Sequence, residues 1–199
     1  MAPTGVAIRD VREQLFEAAE RVLLRDGVTA LTSRAVTTEA GCAKGVLHRH
    51  FADFDAFLAE LVLDRIGGLR LRAEGLCESA GTGTVVANLA VVLADLFGSV
   101  AVAIVALVIS RDELRARLRA AGSKGIPLLT EAAAVIAAYL TAEQAHGRIA
   151  PDADVDTLAP TLIGATHLLF ASARNTEPPA MTEVVKVVTA VVGGVVREG

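Results

Sequence analysis

Apolar residues in this chain recur at steps of three and four, a spacing that predicts α-helices. Near the N-terminus the pattern runs through Ile8, Val11, Leu15, Ala18 and Val22. The C-terminal stretch EVVKVVTAVVGGVV is harder to interpret because valine favours strands. Its apolar residues also follow the helical spacing, whereas those of a half-buried strand would alternate every second residue. We therefore predict a helix over 182–197 and an all-α fold.

The core of such a fold has to be built from small aliphatic side chains. Hydrophobic residues make up 53% of the 199 residues, but only 4% are aromatic and tryptophan is absent. A chain of this length can bury one good core, or form a small head on a larger body. The formal net charge of −4 provides no general attraction to nucleic acid, so any contact with DNA must come from a local basic patch.

Caps and glycines divide the chain into further helices. Asp53 can cap a long fourth helix, which Gly67 and Gly68 are expected to interrupt at about 1 kcal/mol each relative to alanine. The stretch ESAGTGT at 78–84 predicts a joint between a head and a body. The predicted helices span 8–25, 33–40, 43–50, 54 to the joint, 85–97, 99–109, 111–121, 127–147, 155–174 and 182–197.

Residues 32–51, TSRAVTTEAGCAKGVLHRHF, predict two short helices joined at Gly41. The hydroxyl of Thr32 can cap the first helix. The second helix turns Leu47 inward and its polar and basic side chains outward. This arrangement is typical of a helix-turn-helix motif, whose second helix enters the major groove of DNA.

The basic patch on this motif is mild. Within residues 31–51, Arg34, Lys44 and Arg49 stand against Glu39, a net charge of +2 before histidines are counted. Lysine and arginine side chains can reach phosphate or the guanine edge, and His48 can donate to a base or to the backbone. A solvated face of a small helical bundle would present the same residues, so this cluster alone leaves both interpretations open.

The stretch from Val11 to Leu58 resembles the TetR family of one-component transcriptional regulators. The resemblance follows the order helix 1, DGVTALTSRAV, TEAGCAKGVLHRHF and DFDAFL, and the rest of the chain matches the family only in layout. It rests on the spacing of Gly27, Thr32, Ala40, Gly41, Gly45, Leu47, His50, Phe51 and Leu58. The resemblance implies a DNA-binding domain over 1–53 and an all-helical ligand-binding and dimerisation domain over 54–199.

The resemblance also implies which residues contact DNA. By position, Thr32 and Ser33 would cap the second helix and touch phosphate, and Arg34 could reach a base. Residues that begin the third helix would meet base edges or the backbone. His48 stands in the place of a frequent tyrosine, and His50 in that of a common phosphate-contacting histidine. The candidate DNA-binding residues are Thr32, Ser33, Arg34, Lys44, Gly45, Val46, His48, Arg49 and His50.

Two positions depart from the family pattern. Ala43 stands where a capping serine is usual, which by itself costs about 0.5 to 2 kcal/mol of helix stability. Phe54 replaces a common lysine at the start of the fourth helix and removes one phosphate contact. Non-specific affinity for DNA should therefore be weaker than usual in the family, because counterion release scales with the number of phosphates neutralised.

The apolar side chains of the second domain predict a pocket for a small apolar effector. Its walls are almost all aliphatic, with few polar anchors, and the scarcity of aromatics argues against stacked cages for flat cations. The alternative is that these side chains fill a solid core. The candidate ligand-binding residues are Leu61, Ile66, Asn88, Leu93, Phe97, Val105, Ile109, Val135, Tyr139 and His167, with Asp95 as a further polar anchor.

The last two helices predict a homodimer. Their apolar faces exceed what one small body needs, so two copies should pair as a four-helix bundle through 155–174 and 182–197. These faces comprise Leu158, Leu162 and Leu169, and Val184, Val188, Val191 and Val195. Gly67 and Gly68 could let the head swing when a ligand binds.

Other classes of function have little support. The stretch 85–109 is long and apolar enough to make a membrane span conceivable, but Asp95 lies in its middle and FGS breaks it at 97–99. Cys42 and Cys77 lack metal-ligand spacing, so we expect no metal and no cofactor. Cys42 could act as a redox switch, but a small buried residue is the favoured interpretation. Serines lack a G-x-S-x-G context, so we expect no enzyme.

Together these features predict a cytoplasmic, ligand-responsive transcriptional regulator. We expect a repressor that a small apolar molecule releases from a palindromic operator in double-stranded DNA, with no membrane partner. The alternative is a helical carrier or scavenger of apolar small molecules that has lost DNA binding. Phe54 and the mild basic patch leave this alternative open.

Overall fold

The structure, a computed structural model, describes residues 4–173 and 177–197. Within those residues the chain is helical and contains no extended strand, which confirms the all-α fold. The predicted helix end at 174 and the side chain of Ile8 lie outside what is described. The helices are α1 (Thr4–Asp26), α2 (Ser33–Glu39), α3 (Gly45–His50), α4 (Phe54–Glu78), α5 (Val85–Phe97), α6 (Ala101–Ser110), α7 (Asp112–Ala120), α8 (Leu129–Ala145), α9 (Val155–Ser172) and α10 (Met181–Val192).

The described residues form two compact units. The first contains the residues up to Asp64 together with Ala103–Ser123, and the second contains Arg65–Val102 and the residues from Lys124 onward. Residues 103–123, assigned from the sequence to the C-terminal domain, therefore pack with the N-terminal helices. These residues bury apolar side chains, among them Ile104, Leu107, Leu114 and Leu118, and the ion pairs described below add to this packing.

An aromatic cluster forms the centre of the first unit. Phe16 of α1 lies 5.6 Å from Phe57 of α4 and 5.9 Å from Phe51, which follows α3. Phe51 and Phe57 meet edge to face at 5.0 Å, and all three side chains are buried. Such pairs contribute about 0.5 to 1.5 kcal/mol each beyond area burial. The cluster therefore fixes α3 against the longer helices on either side of it in the sequence.

Helix α4 runs without a break from Phe54 to Glu78, so the prediction that Gly67 and Gly68 interrupt it was wrong. Two glycines lower the helix propensity by about 1 kcal/mol each. The 25-residue helix tolerates this because it buries apolar residues along its length, among them Leu61 and Leu69. A Cβ atom added at either glycine would meet nothing within 4 Å.

The second unit is built on the packing of α5, α8, α9 and α10. Helix α8 packs on α9, and α10 packs on both α5 and α9. The core residues of these contacts are aliphatic and at most 1% exposed; they include Leu93, Ile136, Leu162 and Val188.

The C-terminal helix is shorter than predicted. It ends at Val192, and Gly193 and Gly194 lead into a short extended segment. There Val196 forms an antiparallel bridge with Ile149, and the Ala150 N–H donates to the Val195 carbonyl oxygen at 2.8 Å. Val195 is therefore not part of the helical face, which corrects the prediction.

Candidate DNA interface and ligand cleft

The turn between α2 and α3 has the geometry that the sequence predicts. The Thr32 hydroxyl oxygen accepts from the Ala35 N–H at 3.1 Å and caps α2. Gly41 adopts a φ of 66°, in the left-handed region that favours glycine. The Cys42 N–H then donates back to the Thr37 carbonyl oxygen at 3.0 Å, so the chain reverses within a few residues.

Helix α3 begins without a side-chain cap. Lys44 occupies the cap position and makes no capping hydrogen bond, and the preceding residue is Ala43. Leu47 is fully buried and anchors the helix to the core. Helix α3 therefore lacks the capping hydrogen bond that a serine would supply. Its position depends on the buried Leu47 and Phe51 instead.

The candidate DNA-binding residues divide by exposure. Ser33, Val46 and His50 are half-buried, and the Ser33 hydroxyl oxygen is buried without a hydrogen-bond partner in the described chain. In this position Ser33 cannot touch phosphate without a rotation of its side chain. The exposed members are Thr32, Arg34, Lys44, Gly45, His48 and Arg49.

Glu39, the acidic residue of this motif, forms ion pairs with two arginines of α1. Glu39 accepts from Arg21 at 2.9 Å and from Arg25 at 2.8 Å, and these two guanidinium groups, Arg25 first, hold the pKa of Glu39 below its usual range. By contrast, the cationic side chains on the outer side of the motif form no ion pair within the described residues; these are Arg34, Lys44 and Arg49. The charge pattern is therefore more favourable to an anion than the composition suggests.

Arg111, which immediately precedes α7, and Arg117 within it neutralise two more acids beside the motif. Arg117 donates to Asp53 at 2.8 Å, and Arg111 donates to Asp55 at 3.2 Å. The Arg111 guanidinium also lies over the Phe54 ring, 5.6 Å from its centroid. These acids begin α4 and would repel phosphate if unpaired. We did not predict this role from the sequence, although the alternating charges of RDELRARLRAA are the signal that marks α7 as a surface for ion pairs.

The predicted ligand-binding residues fall in both compact units. Leu61, Val105 and Ile109 belong to the first unit and the other seven to the second. Ile109 is 54% exposed. Val135, Asn88 and His167 are half-buried. The fully or nearly buried members are Leu61, Ile66, Leu93, Phe97, Val105 and Tyr139.

A cleft of about 410 Å³ lies in the second unit between the C-terminal part of α4 and α5. Of the predicted residues, only Asn88 and the further anchor Asp95 line it. The lining residues are Gly75, Leu76, Ser79, Ala87, Asn88, Val91, Val92 and Asp95.

Two predicted polar anchors are already engaged within the chain. The Tyr139 hydroxyl donates to Glu143 Oε1 at 2.5 Å and accepts from Asn88 Nδ2 at 3.0 Å. Glu143 is fully buried and also accepts from the Gly81 N–H at 3.2 Å, with Arg148 Nε 3.4 Å away. Burial, and then the hydrogen bond to Glu143, raise the pKa of Tyr139 far above its usual value. The network therefore ties the 79–84 turn to α8.

His167 lies in an apolar setting. Its ring is 5.8 Å from that of Phe97, and burial lowers its pKa below the usual value. A neutral imidazole on α9 is therefore the form that this environment favours. A neighbouring hydroxyl, that of Thr166, is fully buried without a partner in the described chain.

Three of the seven apolar residues that we assigned to a dimer interface are used inside the chain, while Leu158, Leu169 and Val191 keep part of their surface. Leu162, Val184 and Val188 are fully buried in the single chain, so they cannot pair with a second copy, and this part of the prediction is corrected. Their burial follows from the packing of α10 on α5 and α9. The large apolar side chains that remain exposed on these helices are Leu168, at 67%, and Met181, at 47%.

Residues 4–173 and 177–197 contain neither a clustered metal site nor a single helix that could span a membrane. No three histidine, cysteine or acidic side chains among them are grouped to hold a metal ion. No single helix in these ranges is long and apolar enough to cross a membrane, and α5 and α6 reach that length only when they are added together across the break at 98–100.

Comparisons with known proteins agree with the geometry of the motif. Residues 15–61 match the N-terminal domain of "Bacterial regulatory proteins, tetR family". A search of curated proteins finds no significant match.

Solved structures of regulators share the fold over nearly the whole chain. A TetR-family transcriptional regulator from Agrobacterium tumefaciens is 14% identical, with a TM-score of 0.69, and 96% of this chain and 100% of that chain are covered. The regulator FadR from Bacillus subtilis, solved with stearoyl-CoA, is 21% identical, with a TM-score of 0.69 and coverage of 92% and 98%. E. coli NemR, in its reduced form, is 16% identical, with a TM-score of 0.70 and coverage of 94% and 97%.

Proposed function

Because this chain carries the DNA-binding domain of the TetR family and has the fold of its regulators, we propose that it is a ligand-responsive repressor. It binds a palindromic operator as a homodimer, and a small, mainly apolar molecule releases it. Residues 1–53 supply the DNA-binding domain, and the rest of the chain supplies ligand binding and dimerisation. No catalytic step is part of this proposal.

The observation that carries the proposal is the charge pattern of the helix-turn-helix motif. Arg34, Lys44 and Arg49 are exposed without an ion-pair partner in the described chain, while Glu39 is neutralised by α1. Here the acids are paired with arginines from other helices, which leaves the outer cations available for phosphate and base edges.

The roles of the residues follow from their positions. Arg34 begins α2 and Lys44 immediately precedes α3, so we propose that both read bases in the major groove. Thr32 and His50 lie at the ends of these short helices and bind phosphate, which positions the motif without reading sequence. Leu47 and the aromatic cluster keep α3 at a fixed orientation.

A dimer accounts for the apolar surface left on the last two helices. Leu168 on α9 is 67% exposed, and Met181 at the start of α10 is 47% exposed. In a two-fold dimer each side chain would meet the equivalent surface of a second copy. Two heads related by this symmetry would bind two half-sites, so the operator should be a near-palindrome.

The ligand proposal is supported by the cleft and by one structural neighbour. The cleft between α4 and α5 has a volume typical of small-molecule sites and a mostly apolar lining. FadR from Bacillus subtilis, which shares the fold, was solved with stearoyl-CoA, a molecule with a long apolar chain. A ligand here regulates DNA binding only if it favours one state of the protein over another.

A carrier of apolar molecules is the second candidate, and Phe54 favours it. Phe54 packs 5.7 Å from Phe57 and beneath Arg111, so the start of α4 offers DNA no cation. A carrier would keep the cleft and would not need the unpaired cations of α2 and α3.

Fluorescence anisotropy with labelled DNA from the region flanking the protein's own gene tests the proposal. The wild type should bind this DNA more tightly than a shuffled sequence, and a Lys44→Ala, Arg49→Ala double variant should lose most of that affinity. Lys124→Ala is the matched control, since Lys124 is an exposed cation in the other compact unit. Equal affinity for flanking and shuffled DNA would contradict operator recognition. Absence of DNA binding with retained ligand binding would favour the carrier.

A further inference from the structure

Among the described residues that line the cleft between α4 and α5, one is an acid. Asp95 is the only ionisable group among these eight residues, which include no lysine, arginine or histidine. Its side chain forms no hydrogen bond or ion pair with any other described residue. Asp95 is exposed at the edge of the cleft, so its carboxylate is accessible to a cation from outside the chain whose hydrocarbon part packs on the apolar lining.

The other polar groups of the cleft are already engaged. The Ser79 hydroxyl donates to the Leu76 carbonyl oxygen at 2.7 Å. Asn88 Nδ2 donates to Tyr139 and to the Thr82 carbonyl oxygen, both at 3.0 Å. The remaining surface is aliphatic, with Leu76 buried and Val91 53% exposed at the open side. Among the described lining residues, Asp95 is therefore the side chain that can distinguish ligands by their charge.

We propose that the cleft takes an aliphatic ammonium compound, whose cationic nitrogen pairs with the Asp95 carboxylate and whose hydrocarbon part packs on Leu76, Val91 and Val92. The described lining contains no aromatic ring, so a flat aromatic cation would gain no stacking from these residues. An anion would face the Asp95 charge with no compensating cation among the described lining residues. The regulatory role of this ligand rests on the proposed function, whereas its binding to the cleft does not.

Calorimetric titration of the DNA-free protein tests the ligand class. The probes are octylammonium, octanol and octanoate below their micellar concentrations, which share one hydrocarbon chain and differ in the charge of the head group. Octylammonium should bind the wild type most tightly. Because an ion pair at an open rim contributes little, Asp95→Asn should weaken octylammonium binding by roughly three- to tenfold and leave octanol binding unchanged.

Two further variants locate the site. Asp152→Asn removes an exposed carboxylate from a loop of the same unit and should leave all three affinities unchanged. Gly75→Leu adds a side chain to the cleft wall at a position where a Cβ meets nothing within 4 Å, and it should abolish binding of the probes. Circular dichroism and thermal unfolding confirm that each variant folds.

The outcomes separate this inference from the proposed function. Octanoate or octanol binding as tightly as octylammonium would overturn the inference, as would an unchanged octylammonium affinity in Asp95→Asn. Binding of none of the probes would overturn it too. If octylammonium binds as expected but does not alter DNA affinity, the ligand class stands and the repressor mechanism fails.

Discussion

Arg117 of α7 donates a hydrogen bond to Asp53, the residue that caps α4, across 2.8 Å. Asp53 also accepts from the Ala56 N–H at 2.7 Å, so one carboxylate joins a helix start to a helix more than fifty residues further along the chain. This contact lies within the compact unit that contains the helix-turn-helix motif, to which α7 also contributes the buried Leu114 and Leu118. It also makes the stability of that unit depend on pH.

We predict that Asp53→Asn destabilises the protein at neutral pH and that the difference from the wild type disappears in acid. The Ala56 N–H first, and then Arg117, lower the pKa of Asp53 below its usual 3.8. A carboxyl group with a lowered pKa contributes stability above its unfolded value and loses it as the pH falls through the folded value. Asparagine keeps the cap, so the comparison isolates the charge.

Thermal unfolding at pH 7 and at pH 3 measures this effect. The two melting temperatures should differ at pH 7 and converge towards pH 3. Asp152→Asn changes an exposed acid outside the helices; it serves as the control and should melt like the wild type at both pH values. A difference that grows in acid would contradict the assignment.

Replacing Arg34 or Lys44 by alanine should reduce sequence recognition. If these side chains read base edges, each variant should lose about 1 to 3 kcal/mol of operator affinity and a smaller part of its affinity for random DNA. Thr32→Val and His50→Ala should weaken both kinds of DNA alike, since phosphate contacts carry no sequence information.

The measurement is a pair of anisotropy titrations at fixed salt, one with operator and one with shuffled DNA. The ratio of the two affinities should fall for Arg34→Ala and Lys44→Ala and stay constant for Thr32→Val and His50→Ala. A uniform loss in all four variants would show that the division into base and phosphate contacts is incorrect.

The local parts of the motif could be predicted from the sequence because the interactions that form them are short-range. Thr32 caps a helix three residues away, and Gly41 needs only its own left-handed backbone. The cleft and the role of α7 could not be predicted in this way. They depend on pairs such as Arg117 and Asp53, which no local pattern brings together.

The spacing of the C-terminal valines shows a second limit. It correctly predicts a helix with one apolar face at Val184 and Val188. It cannot say whether that face is covered by the same chain or by a second copy, since either would bury the same residues. In the structure α5 and α9 cover it, and a different surface is left for a partner.

We predict that Leu168→Glu converts a dimer into monomers. Leu168 is 67% exposed on α9, so a charged side chain there costs little in the single chain but would be desolvated in an interface. Light scattering at micromolar concentration should report the mass of two chains for the wild type and of one for the variant. Leu24→Glu, at a 61% exposed leucine on α1, is the matched control and should stay dimeric. A monomeric wild type would refute the proposed assembly.

We predict that Tyr139→Phe destabilises the protein without changing ligand selectivity. The hydroxyl donates to the fully buried Glu143 and accepts from Asn88, so its removal leaves a buried acceptor short of one donor. Such a loss costs about 1 to 3 kcal/mol. Urea unfolding gives the stability, and titration with octylammonium gives the ligand affinity. A variant as stable as the wild type would show that the network does not support the 79–84 turn.

Gly67 and Gly68 offer a test of how α4 takes part in regulation. Both are helical, and an added Cβ meets nothing within 4 Å at either position, so alanine fits without strain. Gly67→Ala with Gly68→Ala should raise the free energy of unfolding by up to about 1 kcal/mol for each substitution, because alanine favours the helix. If local bending at these residues is needed for the response, the stiffer helix should still bind ligand but alter DNA affinity less.

Following ligand binding by calorimetry and DNA release by anisotropy in the same variant separates the two effects. Gly164→Ala is the matched control, since Gly164 lies within α9 and its added Cβ also meets nothing within 4 Å. That control should leave the ligand effect on DNA unchanged. An unchanged effect in the double variant as well, together with the expected gain in stability, would show that the glycines of α4 take no part in the coupling.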